Sequence, residues 1–189
     1  MVGMDTKAAL LDSAEHAVRA RGYDGFSYAD LAADVGIRKA SIHHHFPTKA
    51  DLALALIARY SENFFLRLNQ ISESHRTGGA RLNHYIAACR DALDGGRKLC
   101  LCVAFCVGRD GLSPEVLAKL DLFHRTVAAW LGEVFAVGKA DNSIAYVMDY
   151  AAEAHACLAQ MEGAQLIARA ASDARRFDAA VAQLQQRIA

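Results

Sequence analysis

Apolar residues recur at helical spacing along almost the whole chain. Leu10, Leu11, Ala14, Ala17 and Val18 form the first run, and Gly22 stops it. Ser27 caps a second run whose inward face reads Tyr28, Leu31, Ala32 and Val35, at i, i+3, i+4 and i+7, and Gly36 breaks it. A third segment, from Lys39 to Phe46, is very short. Its Ile42 and Phe46 face inward four residues apart, and Pro47 ends it. Thr48 then caps a long fourth helix, with Lys49 and Asp51 in its first turn and the stripe Ala53, Ile57, Tyr60, Phe64, Leu68, Ile71, up to the polar segment "SESHRTGGA". Beyond it the pattern predicts helices over Arg81 to Leu93, in the apolar "RKLCLCVAFCVGRD", from Ser113-Pro114 to about Val137, from Asn142 to about Ala170, and from Arg175 to Ile188. No stretch alternates apolar and polar residues as a half-buried strand would. An all-α chain of nine helices is expected, with a three-helix head in residues 1–50 and a larger helical body in residues 51–189.

Composition narrows the chemistry. With 189 residues, 53% of them hydrophobic, the chain can bury a core without disulfides. The 21 basic and 21 acidic residues cancel, so anion binding has to come from local placement of charge. The run His43-His44-His45 suggests a metal, yet successive helical side chains point about 100° apart and cannot converge on one ion. No metal and no cofactor are expected. The chain shows no leader and no apolar run of membrane-spanning length, which predicts a soluble, cytoplasmic protein with no membrane partner. Its five cysteines, an odd number, read as reduced thiols. A helical thiol-dependent enzyme, or a metal-binding protein without DNA binding, is the alternative class. No nucleophile-base-orienter set, glycine-rich phosphate loop or clustered carboxylates support it, and no catalytic residue is assigned.

The order from Tyr28 to His45 is that of a helix-turn-helix: small Ala32 where two helices cross, Gly36 in the turn, and Ile42 plugging the second helix onto the core. The segment "IRKASIHHHFPTKADL", which includes the start of the next helix, resembles the signature of the TetR family of transcriptional regulators. The likeness runs from about Lys7 to Tyr60, with His43 standing where that family usually has tyrosine. The resemblance implies a regulator, in the first instance a repressor, binding double-stranded DNA at a palindromic operator as a homodimer. Arg38, Lys39, Ser41, His43 and His44 are the donors suited to phosphates and base edges. Thr48 and Lys49 stand at a helix N-terminus, which favours a phosphate, and Ser27 is counted with them. Asp5, Asp12, Glu15, Asp24, Asp30 and Asp34 offset the cations of the head, so few phosphate contacts per subunit are expected, with a shallower salt dependence than a basic protein shows.

For the body the resemblance implies a site for a small-molecule effector of unknown identity. Cys100, Cys102 and Cys106 are the candidate sensor residues. Cys100 is expected near the start of its helix beside Arg97 and Lys98, which would favour the thiolate. The outline "LCLC…GRDGLS" also resembles, more weakly, the subgroup of this family that senses electrophiles through a cysteine. Cys102 and Cys106 share a face, but a Cβ separation of about 5 to 6 Å is too long for a disulfide. Inert packing of all three, with a noncovalent ligand in their place, is the competing reading. In the last helix Phe177, Val181 and Leu184 form a stripe that either covers the chain's own core or pairs with a second copy.

Overall fold

The computed structural model describes residues 6–189. Asp5, one of the carboxylates set against the head's cations, lies outside them. The described residues form nine α-helices and no strand. They are α1 (Thr6–Arg21), α2 (Tyr28–Val35), α3 (Lys39–His45), α4 (Lys49–Ser74), α5 (Gly78–Asp91), α6 (Leu101–Val107), α7 (Pro114–Ala140), α8 (Tyr150–Ala171) and α9 (Arg175–Gln185). Single 3-10 turns lie at Tyr23–Gly25, Asp94–Gly96 and Arg109–Gly111.

Local chemistry sets the early boundaries. The Ser27 hydroxyl accepts from the Asp30 amide while the Asp30 carboxylate takes the Ser27 amide at 2.7 Å, so each satisfies a donor left open at the start of α2. Thr48 and Asp51 repeat this reciprocal cap on α4, at 2.9 and 3.1 Å. Between them Gly36 adopts φ 75, a left-handed conformation that costs glycine nothing, and the chain turns from α2 into α3 within three residues.

Two later boundaries differ from the sequence pattern. The sixth helix begins at Leu101, not at Arg97, because Gly95 and Gly96 take φ 69 and 94 and Arg97 still belongs to the turn beyond them. The eighth begins at Tyr150, where Asp149 accepts from the amides of Ala151 and Ala152. Residues 142–149 were expected to be helical, since Ile144, Val147 and Met148 fall at helical spacing. Instead Asn142 and Tyr146 have positive φ, and the backbone of Ser143 and Ala145 pairs with Arg187 and Ala189 near the C-terminus.

The chain divides into two compact units: residues to Glu62 with Leu101–Asp121, and Asn63–Cys100 with Leu122–Ala189. The boundary drawn between residues 50 and 51 thus falls inside the first unit. The physical reason is that the start of α4 and the whole of α6 pack with α1 to α3. Arg59 of α4 binds Asp12 at 2.6 Å and Glu15 at 2.9 Å on α1, and the Tyr23 ring lies 5.4 Å from that of Phe105 on α6. Leu10, Val18, Leu31, Ile42, Leu56 and Phe105 fill this core. The second unit buries Leu82, Leu131, Phe135, Met161 and Phe177. Its α5 and α7 approach so closely that a Cβ on Gly78 would run into the backbone of Gly138.

Candidate nucleic-acid interface

The short α3 has one fully buried side chain, Ile42, at 0% exposure. Around that plug Arg38, Lys39, Ser41, His43 and His44 are exposed. Arg38 and Lys39 form no ion pair among the described residues, whereas four acids of the first unit are engaged: Asp12 and Glu15 with Arg59, Asp30 with Ser27, Asp51 with Thr48. A chain of zero net charge therefore still presents local cations, a hydroxyl and two imidazoles on one short element. Donors of this kind suit phosphate oxygens and the edges of guanine or adenine.

Two side chains of the first unit fix this element. The buried Tyr28 hydroxyl lies 2.6 Å from the Thr48 carbonyl and 3.0 Å from that of Phe46, so its one proton is shared across the turn that leaves α3. Burial, and then the Asp51 charge, push its pKa up to about 12, so it stays a donor at neutral pH. The His43 Nδ1 lies 3.1 Å from the Pro47 carbonyl, and its ring packs 4.9 Å from that of Tyr28. A carbonyl only accepts, so Nδ1 carries the proton and Nε2 is left for an outside partner. The three histidines do not converge, and no group of three His, Cys, Asp or Glu among the described residues could hold a metal.

Ser27, Thr48 and Lys49 are placed differently from these five. The first two are exposed, but their hydroxyls donate to Asp30 at 2.8 Å and Asp51 at 2.7 Å as parts of the caps. Lys49 is half-buried, and its side chain bends back toward the turn before α2. Its Nζ donates to the Phe26 carbonyl at 2.9 Å and sits 4.6 Å from the ring centre of Tyr23 and 4.4 Å from that of Phe26. Burial lowers its pKa, with Asp24 acting in the opposite direction. Tyr23, Phe26 and Tyr28 were not read as site residues. The only signal in the sequence is their aromatic character in a short turn, "YDGFSY", that core packing would explain as well.

The candidate sensor set is not assembled as the sequence suggested. Cys100 precedes α6, is 9% exposed, and has its amide bound to the Gln165 side chain at 2.8 Å. Arg97 and Lys98 are both paired with Asp94, at 2.7 and 3.3 Å. Cys102 is buried, and Cys106 is the exposed thiol of the five. Cys100 interacts with Cys89 and Tyr85. Burial first, then Cys100, pushes the Cys89 thiol up; burial and Glu153 push Cys157 up to about 12. Buried protonated thiols are poor nucleophiles. A groove of about 650 Å³ between α7 and α8 is lined by alanine and glycine with Arg125, Glu133, Tyr150 and His155, and no cysteine borders it.

The stripe assigned to a dimer interface is likewise corrected. Phe177, Val181 and Leu184 are 0%, 1% and 5% exposed within a single chain, so a second copy has nothing of them to cover. They close the second unit's own core. Among the exposed apolar residues of this unit are Leu166 at 42% and Ile167 at 55%, adjacent on α8.

A helix-turn-helix whose second helix shows unpaired cations, in an all-helical chain, defines a DNA-binding regulator. The family model described as "Bacterial regulatory proteins, tetR family" matches residues 10–56. The solved structure of a TetR-family transcriptional regulator from Agrobacterium tumefaciens is 30% identical, with 97% of each chain covered and a TM-score of 0.91. A TetR transcriptional regulator from Legionella pneumophila is 26% identical over 100% of both chains, with a TM-score of 0.88. The HTH-type transcriptional regulator CymR of Pseudomonas putida is 31% identical over 107 residues, which span 57% of this chain and about half, 49%, of that curated relative. The chain belongs to the TetR family of transcriptional regulators. It is a regulator and not an enzyme, like these relatives. No helix among the described residues is long and apolar enough to cross a membrane.

Proposed function

We propose that this protein is a transcriptional repressor that binds a palindromic operator as a homodimer and is released by a small molecule. DNA binding is assigned to the head, residues 1–50, and effector binding and dimerisation to the body, residues 51–189. The observation that carries the reading is α3 itself: exposed Arg38, Lys39, Ser41, His43 and His44 around the buried Ile42, with the cations left unpaired. Two copies related by a two-fold axis would present α3 to successive major grooves roughly 34 Å apart.

The second copy is assigned to the outer face of α8. There Ala152, Ala156, Ala159, Gly163, Ile167 and Ala170 follow helical spacing, and a Cβ at Gly163 would meet open space. Small residues allow two helices to approach closely, and Leu166 and Ile167 supply apolar area. For the effector, the α7–α8 groove supports a noncovalent ligand of drug-like size, since its volume lies within the usual range for such sites. A covalent route through Cys100 lacks the exposed thiol and free cations it requires.

The test is selection of bound sequences from random duplexes, run in parallel with a variant in which Arg38, Lys39 and His44 are alanine. The wild type is expected to enrich a palindrome, and the variant to bind it more than roughly a hundredfold more weakly. Equal enrichment by the variant would overturn the assignment of α3.

A further inference from the structure

The groove between α7 and α8 has two walls from its own chain, and its α8 wall is Tyr150, Ala151, Ala154 and His155. Of these, Ala151 and His155 also belong to the exposed face of α8. Side chains advance by about 100° per residue around a helix, so Ala151, His155 and Leu166 fall within about 60° of one another. Leu166, 42% exposed, therefore stands on the groove side of that face. It lies about 16 Å along the axis from His155 and does not line the groove of its own chain.

The exposed face runs from Ala151 to Ala170 and is uneven. Its first half carries alanines and His155, and its second half the large Leu166 and Ile167. A two-fold axis crossing α8 at the middle of this face makes the paired helices antiparallel and sets each position against the one equally far from the middle. His155 then meets Leu166 of the partner subunit. Large side chains of one copy fall on small residues of the other, as a self-complementary surface requires, and Ala159 and Gly163 near the axis let the helices approach closely.

We propose that the effector groove is a composite site completed by the second copy: the partner's Leu166 closes it over His155, and an apolar ligand is held by both chains. The assignment rests on the homodimer and the groove given under the proposed function, and adds to them a wall that a single chain lacks. Each dimer carries two such sites. Ligand binding and association are then linked, since a ligand held by both chains tightens the dimer by the factor by which the dimer tightens the ligand.

The test uses the full chain with Cys106, the exposed thiol, replaced by serine. His155→Cys and Leu166→Cys together set two thiols against each other twice per dimer. Diamide, which takes up their two hydrogens, is expected to convert most of the protein to disulfide-linked dimers. Either cysteine alone meets its own copy about 16 Å away along the axis, beyond a disulfide's reach, and is expected to stay at background. A second measurement takes anilinonaphthalene sulfonate as the apolar probe. Gly132→Leu fills the groove, where a Cβ meets open space, and identifies the binding that the groove contributes. Leu166→Ala is expected to weaken that binding about fivefold in a chain that still sediments as a dimer. No cross-link in the double variant, or equal cross-linking of a single one, overturns the composite site, and so does unchanged probe affinity in Leu166→Ala. Should Leu166→Ala part the two copies, the cross-link alone decides. A wild type that sediments as a monomer refutes the homodimer, and probe binding that Gly132→Leu leaves intact refutes the groove as a ligand site, both distinct from the other outcomes.

Discussion

On α3 the polar side chains Arg38, Lys39, Ser41, His43 and His44 stand in water around one buried isoleucine, whereas on α5 and α8 Tyr85, Cys89, Cys157 and Gln165 are themselves buried. In the first unit the exposed groups are left for a partner, while Asp12 and Glu15 are tied to Arg59 and Asp30 and Asp51 to helix caps. In the second the polar groups answer one another, Cys100 through its amide to Gln165 and Tyr85 with Cys89. Burial there keeps the thiols protonated. Polar groups thus serve opposite ends in the two units. Exposure makes a donor available for recognition, while enclosure turns it into a fixed internal contact whose ionisation is resisted.

The largest effect is expected where the second unit has an exposed apolar face. Leu166→Glu with Ile167→Glu should leave a monomer by sedimentation, and operator affinity should fall by about a hundredfold or more once two heads no longer bind together. A stable dimer in that variant would place the interface elsewhere. In the first unit, Ile42→Ala should cost about 2–5 kcal/mol in denaturant unfolding, because the plug of α3 is wholly enclosed. A cost near zero would mean that α3 is seated by something other than Ile42.

The smallest expected effect concerns the enclosed thiols and is read at pH 10, one unit into their titration window. Cys157 ionises at 9.0 ordinarily and at about 12 in the fold. Below pH 9 the proton is bound in both states and the full stability is present. Between 9 and 12 the unfolded chain loses a proton that the folded chain keeps, so stability falls by about 1.4 kcal/mol per pH unit. Replacing Cys157 with alanine removes that share of the decline in urea unfolding at successive pH values. An identical decline in wild type and variant would show that the thiol is not enclosed.

The head was legible because its function constrains spacing over a short span. Ala32, Gly36, Ile42, Phe46 and Pro47 lie within sixteen residues, and each has a local physical reason for its position. The bend of Lys49 toward Phe26 was not legible, since the rings beside it come from a turn more than twenty residues earlier. In the body, periodicity marked the stripe of α9 but could not say what covered it. The same periodicity extended α8 through residues 142–149, where pairing with the C-terminal segment imposes an irregular backbone.

Sequence alone determined the helical content, the count and approximate limits of the helices, the helix-turn-helix and the donors on α3, because all of these depend on interactions within a few turns of chain. Tertiary structure decided which charges stay unpaired, where Lys49 points, that Cys100 lies with Cys89 and Tyr85, and that Phe177, Val181 and Leu184 face inward. Those outcomes depend on enclosure and on partners many residues away along the chain, and burial, which sets both the exposure of a surface and the ionisation of a thiol, is a property of the packed fold.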